Sequence, residues 1–248
     1  MGNSSEFSGK VVLITGGARN IGRELACMFA RAGASVMVNS RTARKELDET
    51  VTAANATGGK AVAHVADVTD AAAVERMVQA AVDQFGRIDV LINNAVTHAV
   101  APFQQLAYAD WRHTIDVTLD GAFHCTQACL PHLIRAGGGS VINMGGLFGH
   151  VPFAGRAATS AAKAGLAGLT RALAAEFSAH NINVNYVAPG PANTTRDTPF
   201  SMDLKKIPMG RMAEVSEVAA MIRLLCGNDG RYITGQTLHV NGGLFMNS

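Results

Sequence analysis

Short runs of apolar, β-branched residues alternate with longer helical patterns along the chain, and this alternation constrains the fold more than any other feature. The short runs are almost continuously apolar, as is typical of strands that are covered on both faces. Repeated β–α alternation predicts an α/β fold: a doubly wound parallel sheet with helices on both faces and right-handed crossovers. The predicted strands are KVVLIT (10–15), ASVMVN (34–39), KAVAHV (60–65), IDVLIN (88–93), GSVINM (139–144), INVNYVA (182–188) and QTLHVN (236–241).

Two of the intervening segments show clear helix signals. The segment 20–33 is one, and the other is 70–86, where Asp70 is the predicted N-cap and Gly86 the predicted C-cap. No linker, low-complexity tract or repeat divides the chain, so residues 1–248 are predicted to form a single domain.

The least regular segment is 189–213, which contains four prolines. It follows the sixth strand at the edge where open α/β sheets bind their ligands, and it is long for a connection. Residues 191–211 are therefore predicted to be a substrate loop.

The charge and the cysteine content limit which binding partners and metal sites are expected. The net charge is +2 and only 16% of residues are charged, so neither nucleic acid nor a membrane surface is an expected partner. The four cysteines lack metal-ligand spacing, and no apolar run reaches the length of a membrane span. We therefore expect a cytoplasmic protein with free thiols, no metal site and a small-molecule substrate.

The segment VVLITGGARNIG (11–22) reads as a strand, a glycine-rich turn and the start of a helix. Gly16 and Gly17 allow a tight turn close to a phosphate, and Gly22 allows the helix to pack on the strand. Asn20 stands where a third glycine is expected, and asparagine tolerates left-handed backbone better than most residues do. The pattern predicts a dinucleotide-binding turn.

The end of the second strand indicates which dinucleotide is bound. An NAD site usually has Asp or Glu about 20 residues after the glycines, to accept from the ribose 2′-hydroxyl. Here Ser40 and Arg41 occupy that place, and Arg19 lies in the glycine turn. Guanidinium groups without a carboxylate favour a 2′-phosphate, so NADP(H) is predicted over NAD(H). The alternative is that Arg41 and Arg44 are ordinary solvated charges.

Lys163 lies in RAATSAAKAGLAGLTRAL (156–173), with no acidic residue within ten positions on either side. A lysine on a solvated helix face usually has charged neighbours, so this one is predicted to face a functional site.

Five motifs distributed along the chain are informative together: TGGARNIG (15–22), ADVTD (66–70), NNA (93–95), NVNYVAPGPANTT (183–195) and YITGQTLHVNGG (232–243). With them the chain resembles the short-chain dehydrogenase/reductases of the classical type, nearest in layout to 3-oxoacyl-ACP reductases. The resemblance covers about residues 8–246. It implies a Rossmann-like, seven-stranded sheet in the order 3-2-1-4-5-6-7, and a homotetramer or homodimer packed through helices at 103–136 and 153–179.

The same resemblance implies how the cofactor is bound. Asp67 and Val68 are expected near the adenine, and Lys163 is expected to hydrogen-bond the nicotinamide ribose. The predicted cofactor-binding residues are Gly16, Arg19, Asn20, Ile21, Gly22, Ser40, Arg41, Asp67, Val68, Asn93, Ala95, Lys163, Pro189, Gly190 and Thr194.

The chain departs from the family at the catalytic positions. The family uses a Tyr four residues before the Lys, a Ser after the fifth strand and an Asn on the preceding long helix. These positions hold Thr159, Gly146 and Thr118, while Lys163 is retained. An aliphatic alcohol is a much weaker acid than a phenol and is shorter by a ring, so Thr159 is a poor substitute.

Two histidines are candidate replacements for the missing acid. His98 and His150 lie on the loops that leave the fourth and fifth strands, on the ligand side. A histidine there can act as a general acid near neutral pH, alongside Lys163 and Thr159. The alternative is that both are exposed loop residues without a role.

The favoured function is that of an NADP(H)-binding oxidoreductase acting on a small carbonyl or alcohol, or on an activated enoyl substrate. One alternative is a catalytically inactive dinucleotide-binding scaffold, sensor or oligomer partner. A second is a lyase-type activity that uses His98 or His150. Fold alone does not choose among them.

Overall fold

The computed structural model describes residues 6–42, 44–151, 153–195 and 203–246. Its centre is a seven-stranded parallel sheet in the order β3-β2-β1-β4-β5-β6-β7, which confirms the predicted fold and strand order. The strands are β1 Val11–Ile14, β2 Ser35–Ser40, β3 Lys60–Val65, β4 Val90–Asn93, β5 Gly139–Met144, β6 Ile182–Pro189 and β7 Thr237–Val240.

Helices cover both faces of this sheet. They are α1 Asn20–Arg31, α2 Arg44–Asn55, α3 Ala71–Phe85, α4 Tyr108–Ile115, α5 Gly121–Arg135, α6 Ala157–Phe177 and α7 Val215–Cys226. The caps predicted for α3 are present. The Asp70 side chain accepts from Ala73 N, and Gly86 has the left-handed conformation with φ 84°.

Successive residues of each strand enter opposite layers of the core, as the period of a strand requires. From β1, Val12 and Ile14 join the cluster formed with α1, α2 and α7, whereas Leu13 joins the cluster formed with α3 and α5. Strands buried on both faces explain why the sequence runs are continuously apolar.

Two helix boundaries differ from the sequence prediction. The first helix ends at Arg31 rather than residue 33. The segment expected as one helix over 103–136 instead contains α4 and α5, joined by a π-helical turn at Asp116–Asp120. Such turns are rare and occur mostly at functional sites, and this one contains Thr118.

The order in which strands are added to the sheet reverses between β1 and β4, which are parallel neighbours at its centre. The carboxyl ends of all seven strands therefore form one edge with a crevice at this switch point, where open α/β sheets bind ligands. Apart from Thr159 and Lys163, which lie on α6, the predicted site residues lie at the strand ends, in the loops or at the start of α1 along this edge. Among the described residues, no helix is both long and apolar enough to cross a membrane.

Candidate active site

The glycine turn after β1 lies against the loop that follows β4. Gly16 has φ 62°, and a Cβ built on it would lie 2.8 Å from Ala95 Cα. A Cβ on Gly22 would lie 2.5 Å from Gly16 O, so the start of α1 packs directly on the turn. Side chains at either position would fill the cradle, which fits a phosphate held by backbone N–H groups at a helix N-terminus.

Asn20 adopts the left-handed backbone expected of it, with φ 55°. Its side chain also bonds the backbone of Thr195 twice: Nδ2 donates to Thr195 O at 3.0 Å, and Thr195 N donates to Oδ1 at 2.9 Å. Asn20 thereby joins the glycine turn to the loop after β6. This contact could not be predicted from local sequence, because the two residues are 175 positions apart.

Polar side chains behind the turn hold the β1 and β4 loops together. Thr15 Oγ1 accepts from Asn94 N at 3.0 Å and from Ala95 N at 3.1 Å, and Asn94 Nδ2 donates to Gly16 O at 2.8 Å. Asn93 is buried, and its Nδ2 donates to Asn143 Oδ1 at 2.9 Å. Thr15 and Asn94 are supporting residues that the sequence interpretation did not single out.

Arg41 and Asp67 meet at the end of β2. Arg41 Nη1 lies 4.0 Å from Asp67 Oδ2, and both side chains are partly exposed. Asp67 Oδ1 accepts from Thr69 N and Oγ1, which fixes the carboxylate. Because the ion pair is long, the Arg41 guanidinium stays available to an additional anion at this edge. Val68, also assigned to the adenine side, is buried.

The loop after β6 is anchored to β7. Gly190 N donates to Val240 O at 2.9 Å, and Thr194 Oγ1 donates to Ala192 O at 3.4 Å. Residues 196–202 of the predicted substrate loop 191–211, with Pro199, Phe200 and Met202, lie outside the described residues.

Lys163 is buried on α6 and has no acidic partner among the described residues. Only 3% of its surface is exposed, and Nζ donates to Met144 O at 2.6 Å, at the end of β5. Burial lowers the pKa of Lys163 to about 7, from an ordinary value of 10.5, because the ammonium is removed from water without a compensating charge. The amine can therefore gain and lose a proton near neutral pH.

Thr159 and Thr118, which the resemblance to the family sets at two catalytic positions, have buried hydroxyls. Thr159 is 1% exposed and Thr118 is 2% exposed, and neither Oγ1 has a hydrogen-bond partner among the described residues. Buried polar atoms without partners are uncommon and need an explanation. Here both hydroxyls stand where the family has polar catalytic groups.

Gly146, which the resemblance sets at a third catalytic position, has a backbone conformation that favours glycine. Gly146 has φ 156° and ψ 170°, a backbone that favours glycine over L residues. A Cβ there would meet nothing within 4 Å, so space is not the obstacle. The loop has adopted a path that a serine follows only with strain.

Tyr186 lies directly beneath this loop, although it is far from it in sequence. Its phenol is fully buried, and a Cβ added to Gly145 would overlap the ring. A Cβ on Gly149 would lie 3.1 Å from both the Tyr186 hydroxyl and Lys163 Cβ. Burial raises the pKa of the Tyr186 hydroxyl well above its usual range, and the Gly146 backbone opposes this slightly. The sequence did not indicate that Tyr186 lies here, because only the register of β6 on β5, which pairs Tyr186 with Asn143, brings it to this loop.

The two candidate histidines occupy different surroundings. The His150 ring packs against Tyr186 at 5.5 Å and His239 at 4.9 Å, between centroids, and its buried Nε2 has no partner among the described residues. Burial, followed by the nearby Arg171, lowers the pKa of His150. His98 is exposed and packs edge-on to Phe148 at 6.3 Å. The described residues contain no cluster of three or more metal-ligating His, Cys, Asp or Glu side chains.

Comparison with known proteins agrees with this geometry. Residues 16–245 match the family model described as enoyl-(acyl carrier protein) reductase. The 3-oxoacyl-[acyl-carrier-protein] reductase FabG of Staphylococcus aureus is 36% identical over 242 residues, which cover 96% of this chain and 98% of FabG. The (2S)-[(R)-hydroxy(phenyl)methyl]succinyl-CoA dehydrogenase subunit BbsD of Thauera aromatica is 39% identical over 94% of this chain and 96% of BbsD.

A solved structure shows the same likeness. A short-chain dehydrogenase/reductase from Serratia marcescens superposes with a TM-score of 0.91 at 32% identity, covering 96% of this chain and 99% of the other. Sequence, sheet order and site geometry agree, and the chain belongs to the short-chain dehydrogenase/reductase family of oxidoreductases.

Proposed function

We propose that this oxidoreductase uses NADP(H) to reduce a small carbonyl or activated enoyl substrate, or to oxidise the corresponding alcohol, with Lys163 as its acid and base. The observation that carries the proposal is the burial of Lys163, which brings its pKa to about 7 beside the positions of the missing Tyr and Ser. An acid with a pKa near the working pH is what proton transfer requires.

The binding of the dinucleotide is supported by the glycine cradle. Gly16, Asn20, Ile21 and Gly22 form the turn and the first residues of α1, whose N–H groups would hold the pyrophosphate. Ser40 and Arg41, with Arg19 in the turn, would bind a 2′-phosphate, and this assignment favours NADP(H). The remaining predicted contacts, from Asp67, Val68, Asn93, Ala95, Pro189, Gly190 and Thr194, lie at the same sheet edge.

The bound cofactor supplies the hydride, and the protein supplies orientation and the proton. Lys163 Nζ would give its proton to the substrate oxygen as negative charge develops there. The unpartnered Thr159 and Thr118 hydroxyls would donate hydrogen bonds, to substrate or to cofactor hydroxyls. Because only about half of the Lys163 side chains carry a proton at pH 7, substrates that need little help from a proton donor, such as conjugated or activated ones, suit this site.

Cofactor titration and a pH profile test the proposal. We expect NADPH to bind at least tenfold more tightly than NADH, and Arg41→Met to remove most of that preference. The rate of reduction should fall as pH rises through about 7, because Lys163 loses its proton there, while alcohol oxidation should rise over the same window. Failure to bind either dinucleotide contradicts the proposal.

A second experiment distinguishes catalysis by Lys163 from the alternative that the protein is an inactive dinucleotide-binding scaffold. Wild type and the double variant Thr159→Tyr/Gly146→Ser are compared on a panel of carbonyl and enoyl compounds with NADPH. We expect measurable activity in wild type, unaffected by His98→Ala. Activity that appears only in the double variant identifies wild type as a binding scaffold, and activity that disappears with His150→Ala assigns the acid to that histidine instead.

We further propose a homo-oligomer. Phe103 and Tyr108 are each 75% exposed and Phe123 is 46% exposed, on or next to α4 and α5. Apolar side chains that are exposed together on one surface can mark a protein–protein interface. Sedimentation velocity is expected to show a tetramer or dimer, and a monomer at micromolar concentration would contradict this.

A further inference from the structure

The residue that precedes α6 is an arginine without an acidic partner. Arg156 is half-buried, and its guanidinium carbon lies 5.0 Å from the centroid of the Phe148 ring. No carboxylate among the described residues pairs with it. Arginine held over an aromatic face keeps its fork of N–H donors directed outward, which suits recognition of a planar anion.

Phe148 belongs to an aromatic wall beside the catalytic loop. Its ring meets Phe153 edge-on at 4.9 Å between centroids. Both residues lie in the segment that connects Gly146 to α6, and Ala101 N donates to Gly155 O at 3.1 Å, which ties this segment to the loop after β4. The wall therefore stands at the sheet edge that carries the proposed active site, with Arg156 on its surface.

The N-terminus of α6 adds donors next to Arg156. This helix of 21 residues has no acidic residue in its first turn, and its N-cap residue, Arg156, makes no side-chain cap hydrogen bond. The first N–H groups and the dipole of a helix favour an anion at this end. In the same turn, only 1% of the Thr159 surface is exposed, and its Oγ1 has no hydrogen-bond partner in the described part of the chain. An uncapped helix start, an unpaired guanidinium and an unpartnered hydroxyl thus occur within four residues.

We propose that Arg156, with the Phe148–Phe153 wall, selects substrates that carry an anionic group on a planar, apolar body. This inference rests on the proposed function, in which the reacting carbon lies near Lys163. Thr159 and Lys163 follow Arg156 by three and seven residues, about 4.5 and 10 Å along the helix axis. The anion at Arg156 and the reacting carbonyl near Lys163 are therefore about 10 Å apart along the helix, and the planar part of the substrate packs on the phenylalanines.

Binding of unreactive analogues tests this inference without any chemistry. The probes are 3-phenylpropanoate, its uncharged amide and 2-phenylethyl phosphate, titrated calorimetrically with and without NADP⁺. We expect an anionic probe to bind at least tenfold more tightly than the amide. Arg156→Met, which keeps an unbranched apolar stem, should remove that preference, whereas Arg156→Lys should keep part of it. Arg135→Met, at an exposed arginine on α5, is the matched control.

These binding results can be told apart from a failure of the proposed function, because none of the probes has a reducible group. Tighter binding of the carboxylate or of the phosphate supports the inference and identifies which anion the substrate carries. Equal affinity for acid and amide, no binding of any probe, or an affinity unchanged in Arg156→Met overturns it. An enzyme that reduces nothing yet binds the anion preferentially would refute the proposed function alone.

Discussion

Replacing Lys163 by methionine is expected to stabilise the fold while it removes activity. Methionine matches the length and volume of the lysine stem but carries no charge. The buried amine makes one hydrogen bond, to Met144 O, and has no ion pair among the described residues. Groups that perform chemistry are often held in unfavourable surroundings, so their removal stabilises the protein at the expense of function.

The magnitude follows from the pKa of Lys163. Burial lowers this pKa from 10.5 to about 7. Because each pKa unit corresponds to about 1.4 kcal/mol, burial of the amine lowers the free energy of unfolding by about 4 kcal/mol at pH 7. The methionine variant leaves Met144 O without its donor, which costs about 1–3 kcal/mol. The net gain is about 2 kcal/mol at pH 7, which raises Tm by about 4–8 °C for a chain of this size.

The pH dependence provides the sharper test. The pKa of Lys163 is lower in the folded state than in the unfolded state, so between about pH 7 and 10.5 the unfolded chain holds more protons. The free energy of unfolding of wild type therefore rises with pH in this window, whereas the methionine variant lacks this contribution. The advantage of the variant should shrink as pH rises and vanish before pH 10.

Guanidinium chloride unfolding, followed by circular dichroism from pH 6 to pH 10, measures this difference. Lys45→Met is the matched control, since Lys45 is an exposed helical lysine and should show no such trend. A Lys163→Met variant that is less stable than wild type at pH 7, by an amount independent of pH, would refute the reasoning.

Three further predictions concern Gly145 and His150, in the segment after β5, and Asn20, in the glycine turn. Gly145→Ala should destabilise the fold by about 2–4 kcal/mol, because its Cβ overlaps the Tyr186 ring, and Tyr186→Val should relieve part of that loss in a double-mutant cycle of unfolding free energies. The pKa of His150 is below its usual 6.5, so the fold favours the neutral imidazole and loses stability as pH falls below 6.5. In thermal melts, the decrease in Tm from pH 7 to pH 5 should therefore be smaller for His150→Phe than for wild type. Asn20→Ala should loosen the contact with Thr195 and raise the Kd of NADPH severalfold with little change in Tm, since that contact is exposed; an unchanged Kd would contradict a role for it.

Local patterns in the sequence were enough to predict the sheet, because strands buried on both faces leave continuous apolar runs. The Asp70 and Gly86 caps and the left-handed Asn20 also follow from local chemistry. The strand order needed the family resemblance, since periodicity alone does not order parallel strands.

Contacts between distant segments could not be predicted in the same way. Tyr186 lies about 40 residues from Gly145, and only the register of β6 on β5 brings its phenol beneath the loop. The Arg156 contact with Phe148 depends on the path of an irregular segment with no periodicity to read. The π-helical turn at Asp116–Asp120 could not be predicted either, because its residues fit an ordinary helical pattern.

The most direct test of the central claim is hydride transfer in a single turnover. Wild type is mixed with NADPH that carries deuterium at the transferable position and with a panel of aryl and conjugated oxo acids, and the products are analysed by mass spectrometry. We expect deuterium in the product of at least one substrate with wild type, and none with Lys163→Met. Tight binding of NADPH with no deuterium in any product would contradict this claim and identify the chain as a dinucleotide-binding scaffold.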